Sequence, residues 1–311
     1  MKIIFFGSSE FAVPSLRRLL EHRHDVLAVV TRPDRKKGRR RLTLSETPVK
    51  EAAFKKGVNV LQPENMEEDG FLEKITALKA DLFVVVSFGQ ILTRKVLSLP
   101  EMYCINLHPS LLPKYRGAAP VNWAVIRGEK KTGLTVIKMN EKMDAGDIML
   151  QRKVAIEKED TSGTLSKRLS DLGGILFLDA IRFIEEDRIS FKKQNDRKAT
   201  FAPKLKKEDG IIDWEKPAEE IHNRVRGTLP WPGAYTYFEG EKINIWKTTV
   251  AEGGSVPGVV VEAQKELIIG TKKLPIRIEE IQLEGKKRMQ AAEFLRGYKK
   301  LKKGDSFCVK R

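Results

Sequence analysis

Met1-Lys2-Ile3-Ile4-Phe5-Phe6-Gly7-Ser8-Ser9-Glu10-Phe11-Ala12-Val13-Pro14 opens the chain, and its reading decides the fold. Ile3 to Phe6 is a continuous apolar run, as expected of a strand buried on both faces, and Gly7 ends it in a turn. Pro14 suits the first turn of a helix whose apolar stripe is Leu16, Leu19 and Leu20. Strand, glycine turn and helix in that order begin a parallel α/β sheet. The turn lacks the second and third glycines of the G-x-G-x-x-G fingerprint, and Glu10 stands where a pyrophosphate would approach, so a dinucleotide site is disfavoured.

Working outward, Val26 to Thr31, Leu82 to Ser87 and Cys104 to Leu107 repeat the buried-strand pattern, with a helix opened by Pro48 and closed by Gly57 between them. Leu134 to Met139 and Met149 to Ile156 read as two further strands, the second antiparallel, and a long helix is expected from Thr164 to Glu186. A first domain over 1–188 follows. The texture then changes: Lys192, Lys193, Lys204, Lys206 and Lys207 crowd a segment without an apolar stripe, read as a basic surface linker over 189–207. Beyond it, short runs broken by Gly and Pro, from Gly233 to Leu283, predict a small antiparallel barrel within 208–311.

Composition narrows the function classes. The 311 residues suffice for two domains, and 58 Lys and Arg against 42 Asp and Glu give a net charge of +16, favouring an anionic partner such as nucleic acid or a membrane surface. Cys104 and Cys308 stand alone without C-x-x-C spacing, so neither a disulfide framework nor a zinc site is expected, and a reducing compartment fits. No apolar run approaches the roughly twenty residues of a membrane span. The expectation is a cytoplasmic protein that binds no metal and no membrane.

The chemistry concentrates in Asn106-Leu107-His108-Pro109-Ser110-Leu111-Leu112-Pro113-Lys114-Tyr115-Arg116-Gly117-Ala118-Ala119-Pro120. Asn106 and His108 are two apart at the carboxyl end of a predicted strand, so both face one side, where ligands of open α/β sheets sit. Met143-Asp144-Ala145-Gly146-Asp147 follows another strand end, and small residues around Asp144 permit close backbone approach to His108. Amide, imidazole and carboxylate without a Ser or Cys nucleophile point to direct attack by an acceptor amine on a bound acyl donor. Asn106 and a protonated His108 would donate to the developing oxyanion, while Asp144 would hold His108 and relay the amine proton. A strand-end histidine can equally be a structural hydrogen-bonder, and a proline-rich loop merely a loop.

Residues 106–123 resemble the N-x-H-P-S-L-L-P-x-Y-R-G-x-x-P-x-x-W signature of the folate-dependent formyltransferases, and residues 143–148 resemble their second motif. The similarity extends to residues 6–14 and 84–92. The resemblance implies a Rossmann-like formyltransferase domain with a mostly parallel sheet, followed by a small C-terminal OB-like β-barrel. It implies that Asn106, His108 and Asp144 are catalytic. It further implies that the pteridine of the donor, 10-formyltetrahydrofolate, rests against backbone of Phe88, Gly89, Gln90 and Ile91, the loop Ser110, Leu111, Leu112 and Pro113, and the segment at Met143 and Asp144.

Family members differ in acceptor. Residues 32–41 carry seven cations against Asp34, interrupted by Pro33 and Gly38, a mobile basic loop that a small nucleotide does not need. With such a loop, the resemblance implies as acceptor the methionyl group of initiator tRNA, contacted by Arg39, Arg40 and Arg41 and along Lys192, Lys193, Lys204, Lys206 and Lys207, and implies a monomeric enzyme. Two rivals are a transferase acting on a small sugar amine or ribonucleotide, and a non-catalytic RNA-binding protein on an enzyme scaffold.

Overall fold

The computed structural model describes residues 1–22, 24–37, 43–254 and 256–308. Its elements begin with β1 (Lys2–Gly7), α1 (Val13–Glu21), β2 (Asp25–Val30), β3 (Arg35–Lys37), β4 (Thr43–Ser45) and α2 (Pro48–Phe54). There follow β5 (Val60–Leu61), α3 (Asp69–Ala77), β6 (Leu82–Val86), α4 (Arg94–Leu97), β7 (Tyr103–His108) and α5 (Pro120–Ile126). Next come β8 (Lys131–Lys138), β9 (Asp147–Ala155), α6 (Ser162–Glu185), α7 (Ala218–Gly227), β10 (Ala234–Phe238) and β11 (Glu241–Val250). The last are β12 (Val260–Ala263), β13 (Leu267–Ile269), β14 (Ile276–Leu283), β15 (Met289–Gln290) and α8 (Ala291–Gly297).

Two compact units are present. The first comprises Met1–Gly117, Lys131–Ala155 and Ser166–Phe201; the second comprises Ala118–Lys130, Ile156–Leu165 and Ala202–Arg311.

In the first unit the sheet order is β5-β2-β1-β6-β7-β8-β9. Strands β5 through β7 are parallel, and β1 and β6 are buried along almost their whole length, as their unbroken apolar runs require. Phe6, Phe83 and Phe88 meet ring to ring in the core on one face of this sheet. Burying each such side chain is worth about 1.5–3 kcal/mol. Helix α2 starts where Thr47 caps it, its hydroxyl accepting from the Lys50 N–H at 3.1 Å, with Pro48 in the first turn.

The strand expected to run antiparallel, β9, does so against its neighbour, and β8 is antiparallel as well. β8 runs against β7, and β9 pairs antiparallel with β8. The connection over 139–146 is too short for a crossover, so β8 and β9 form a hairpin and the reversal falls on its first strand. The ends of the basic loop are likewise a hairpin, β3 with β4, rather than open chain. Arg39, Arg40 and Arg41 lie outside the described residues.

In the second unit an antiparallel sheet runs β10-β11-β14-β13-β12, with β15 on β14. It curls toward a barrel: Cys308 pairs with Tyr237 on one edge strand, and Ser306 pairs with Val259 beside the other. Ile221 and Val225 of α7, Phe294 and Leu295 of α8, and Ile243, Ile245, Ile278 and Ile281 of the strands form its core. No helix among the described residues is long and apolar enough to cross a membrane.

Candidate active site

The site lies in the first unit, at the carboxyl end of β7. His108 is 4 % exposed and Asn106 half-buried, two apart on the same face of the strand. The imidazole is held from two sides. Its Nε2 lies 2.8 Å from the Tyr115 carbonyl oxygen, and its Nδ1 lies 3.5 Å from Asp144 Oδ1. A carbonyl can only accept, so Nε2 carries a hydrogen and donates it to Tyr115. Nδ1 is left facing the carboxylate. The Asn106 amide makes no hydrogen bond among the described residues, so its donors are open.

Asp144 is aimed by its own backbone. Its φ of +50° is left-handed, an unusual conformation for a residue with a side chain, and its Oδ2 accepts the Gly117 N–H at 2.8 Å. Tyr115 and Gly117 also have positive φ, at +61° and +117°, so the chain curls to offer a carbonyl to His108 and an amide to Asp144 within three residues. Gly146 must be glycine, because a Cβ there would sit 1.8 Å from the Lys138 carbonyl oxygen. That close approach brings the hairpin ends together and sets the turn bearing Asp144.

A clamp closes the arrangement. Gln194 Nε2 donates to the main-chain oxygens of Asp144 at 2.8 Å and Gly146 at 2.7 Å. Its Oε1 accepts from Arg116 Nε and Nη2, and the same Nη2 reaches Asp196 at 2.7 Å. Arg116 is buried, so its charge needs these partners. Sequence reasoning gave neither residue a role: Arg116 passed as part of a motif, and Gln194 sits among linker lysines.

The loop after His108 is rigid for a different reason than its prolines alone. The Thr135 hydroxyl donates to the Ser110 carbonyl at 2.7 Å and accepts from the Leu112 N–H at 3.2 Å. Gln151 donates to the Leu112 carbonyl and to Thr135 at 2.8 and 3.0 Å. Ser110 is fully buried, its hydroxyl donating to the Lys114 carbonyl at 2.6 Å. Gly133 allows Leu111 to lie across β8, since a Cβ would meet the Leu111 side chain at 2.5 Å.

The sequence-predicted donor wall divides in two. Phe88 is a core residue, whereas Ile91 and Met143 present apolar side chains that are 76 % and 67 % exposed. Gly89 has φ +79°, and the backbone over 88–92 makes no backbone hydrogen bond among the described residues, leaving amides and carbonyls for the edges of a flat heterocycle. A cleft of about 430 Å³ includes Gln90 and Ile91 but continues to Asp34, Arg35 and Glu64, and none of Asn106, His108 or Asp144 lines it.

Lys192, Lys193, Lys204, Lys206 and Lys207 are all exposed. Cys104 is buried against Met139, and burial pushes its thiol pKa far up, so it is no nucleophile. Among the described residues there is no group of three or more His, Cys, Asp or Glu side chains placed to hold a metal ion.

The chain is similar to known proteins along nearly its whole length. The formyl transferase family model matches residues 1–181, and the model of the formyl transferase C-terminal domain matches residues 204–299. The methionyl-tRNA formyltransferase of Caldanaerobacter subterraneus subsp. tengcongensis is 47 % identical over 96 % of this chain and 97 % of its own. That of Thermodesulfovibrio yellowstonii is 46 % identical over 98 % of both. Among solved structures, the N-formyltransferase of Helicobacter canadensis in complex with folinic acid and dTDP-3-aminofucose superposes with a TM-score of 0.67 at 20 % identity, over 89 % of this chain and 98 % of that one.

Proposed function

The chain belongs to the formyl transferase family, and on that premise we propose that it transfers the formyl group of 10-formyltetrahydrofolate to the α-amino group of methionyl initiator tRNA. The products are N-formylmethionyl-tRNA, which serves translation initiation, and tetrahydrofolate, the spent carrier. The observation that carries the chemistry is the buried His108 braced between Tyr115 and Asp144 beside an open Asn106 amide. The acceptor rests on relatives named for methionyl-tRNA at 46–47 % identity over nearly the whole chain. The sugar-amine enzyme shares the fold at 20 %.

The reaction follows from these groups. The neutral amine attacks the formyl carbon, a C–N bond forms, and negative charge gathers on the formyl oxygen. Asn106 donates to that oxygen directly. His108 Nε2–H, held until then by a neutral carbonyl, shifts toward the stronger anionic acceptor, while Asp144 steadies the ring from its Nδ1 side. Collapse breaks the bond from the formyl carbon to the donor nitrogen, which takes the proton lost by the amine, relayed through Asp144 directly or by one water. No acyl-enzyme intervenes.

The pteridine lies against the free backbone over 88–92 and the braced loop at Ser110, Leu111, Leu112 and Pro113, with Ile91 and Met143 as apolar lips. The exposed cations Lys192, Lys193, Lys204, Lys206 and Lys207, with Arg39, Arg40 and Arg41, contact tRNA phosphates. The test is incubation with 10-formyltetrahydrofolate and charged initiator or elongator methionine tRNA. Formylmethionine on the initiator alone supports the reading, and formylation of a small sugar amine in its place overturns it.

A further inference from the structure

The second unit holds a concave site of its own, of about 370 Å³, which the reaction does not use. Lys207, Glu208, Trp231, Tyr235, Tyr237 and Lys242 line it. Trp231 differs from the other three tryptophans. Trp123, Trp214 and Trp246 each donate the indole N–H, to Pro203 O, Thr236 Oγ1 and Gln282 Oε1 at 2.8–3.0 Å. Trp231 is 51 % exposed, and its N–H has no partner among the described residues.

The position of Trp231 is fixed by the chain around it. The Gly233 N–H donates to Thr228 O at 3.0 Å, and Gly233 with φ +79° turns the chain into β10. Tyr235 and Tyr237, two apart on that strand, share one face and meet edge-on with ring centroids 5.9 Å apart. Lys242 Nζ lies 4.0 Å from the centroid of the Tyr235 ring. The site is therefore a half-open indole face beside two ordered phenol rings.

Its charges are informative because they cancel. Lys207 and Lys242 stand against Glu208 and Glu284. A surface that only tracks phosphates would be positive throughout. A cationic side chain would find the Tyr235 face already occupied by Lys242. A planar base satisfies all the parts together: its face stacks on Trp231, its exocyclic amino group donates to a carboxylate, and its phosphate meets a lysine. Resting on the RNA-acceptor reading above, we propose that this pocket takes one nucleobase unstacked from the tRNA, with its face on Trp231, its edge toward Glu208 and Glu284, and its phosphate toward Lys207.

Two measurements on the full chain test this. In steady-state formylation of charged initiator tRNA, Trp231→Ala should raise KM about tenfold with kcat unchanged, and Trp231→Phe should restore most of the loss, since stacking needs only a ring. In titration with a single-stranded RNA pentamer, the wild-type tryptophan emission should be quenched, and the quench should disappear in Trp231→Phe. Unchanged KM in Trp231→Ala, or a quench caused by a lysine-rich peptide and not by RNA, would overturn the pocket. A wild type that leaves charged tRNA unformylated yet shows the Trp231-dependent RNA quench would keep the pocket and sink the acceptor reading.

Discussion

The His108 cluster of the first unit and the Trp231 pocket of the second are built on opposite principles. In the cluster the imidazole, the Asp144 carboxylate and the Gln194 amide are all engaged with one another or with main chain, the imidazole buried and the other two half-buried. In the pocket the indole face is half open and its N–H has no partner among the described residues. Bond-making chemistry gains from dipoles aimed before the substrate arrives, so its groups hold each other in place. Base recognition needs faces left bare until the ligand covers them.

The sharpest way to break this contrast is at Asn106, the one member of the cluster with open donors. Asn106→Ala should lower kcat about 10²- to 10³-fold, the effect of removing one oxyanion donor, with little change in melting temperature because no internal bond is lost. A tenfold loss or less would mean that His108 alone stabilises the oxyanion. Gln194→Ala comes next. With two bonds to the Asp144 turn removed, kcat should fall about tenfold at nearly constant KM for both substrates. A pure KM effect would assign Gln194 to binding instead.

A smaller effect is expected at the surface lysines. Replacing Lys206 and Lys207 by Gln should reduce the log–log salt slope of tRNA affinity by roughly 0.7–0.9 for each phosphate no longer neutralised, without touching kcat. The smallest concerns His222, a half-buried group of the second unit with no catalytic part. Burial lowers its pKa below the usual 6.5, helped by the charge of Arg226, and Nδ1 rests on Thr248 Oγ1 at 3.0 Å. The fold thus favours the neutral ring. The unfolded chain takes up the proton first as pH falls below 6.5, so the stability is complete above that value and is lost as pH drops toward the lower folded pKa. Thermal melts should show His222→Gln losing less stability than wild type between about pH 7 and pH 5.

Much of this was legible in residue order. Unbroken runs such as Ile3 to Phe6, short and closed by a glycine, read as strands covered on both faces, and alternation with Gly and Pro breaks marked the second sheet. Asn106, His108 and Asp144 announced themselves because strand-end spacing and a dense motif surround them. Three features did not. Helix α7 has only Ile221 and Val225 as large apolar anchors among charges, too sparse for a helical stripe to stand out. The reversal at β8 depends on sheet pairing, which no local pattern encodes. Gln194 lies fifty residues from Asp144 in a lysine-rich stretch with no periodicity, so its role exists only once the chain has folded.

The account depends most on Asp144 holding His108 while a proton crosses between nitrogens. The most direct measurement is single-turnover formylation by Asp144→Asn with saturating 10-formyltetrahydrofolate and charged initiator tRNA. The variant keeps the shape and the Gly117 hydrogen bond while removing the charge. The account predicts a rate at least about 10²-fold below wild type with tRNA affinity unchanged; a wild-type rate would contradict it.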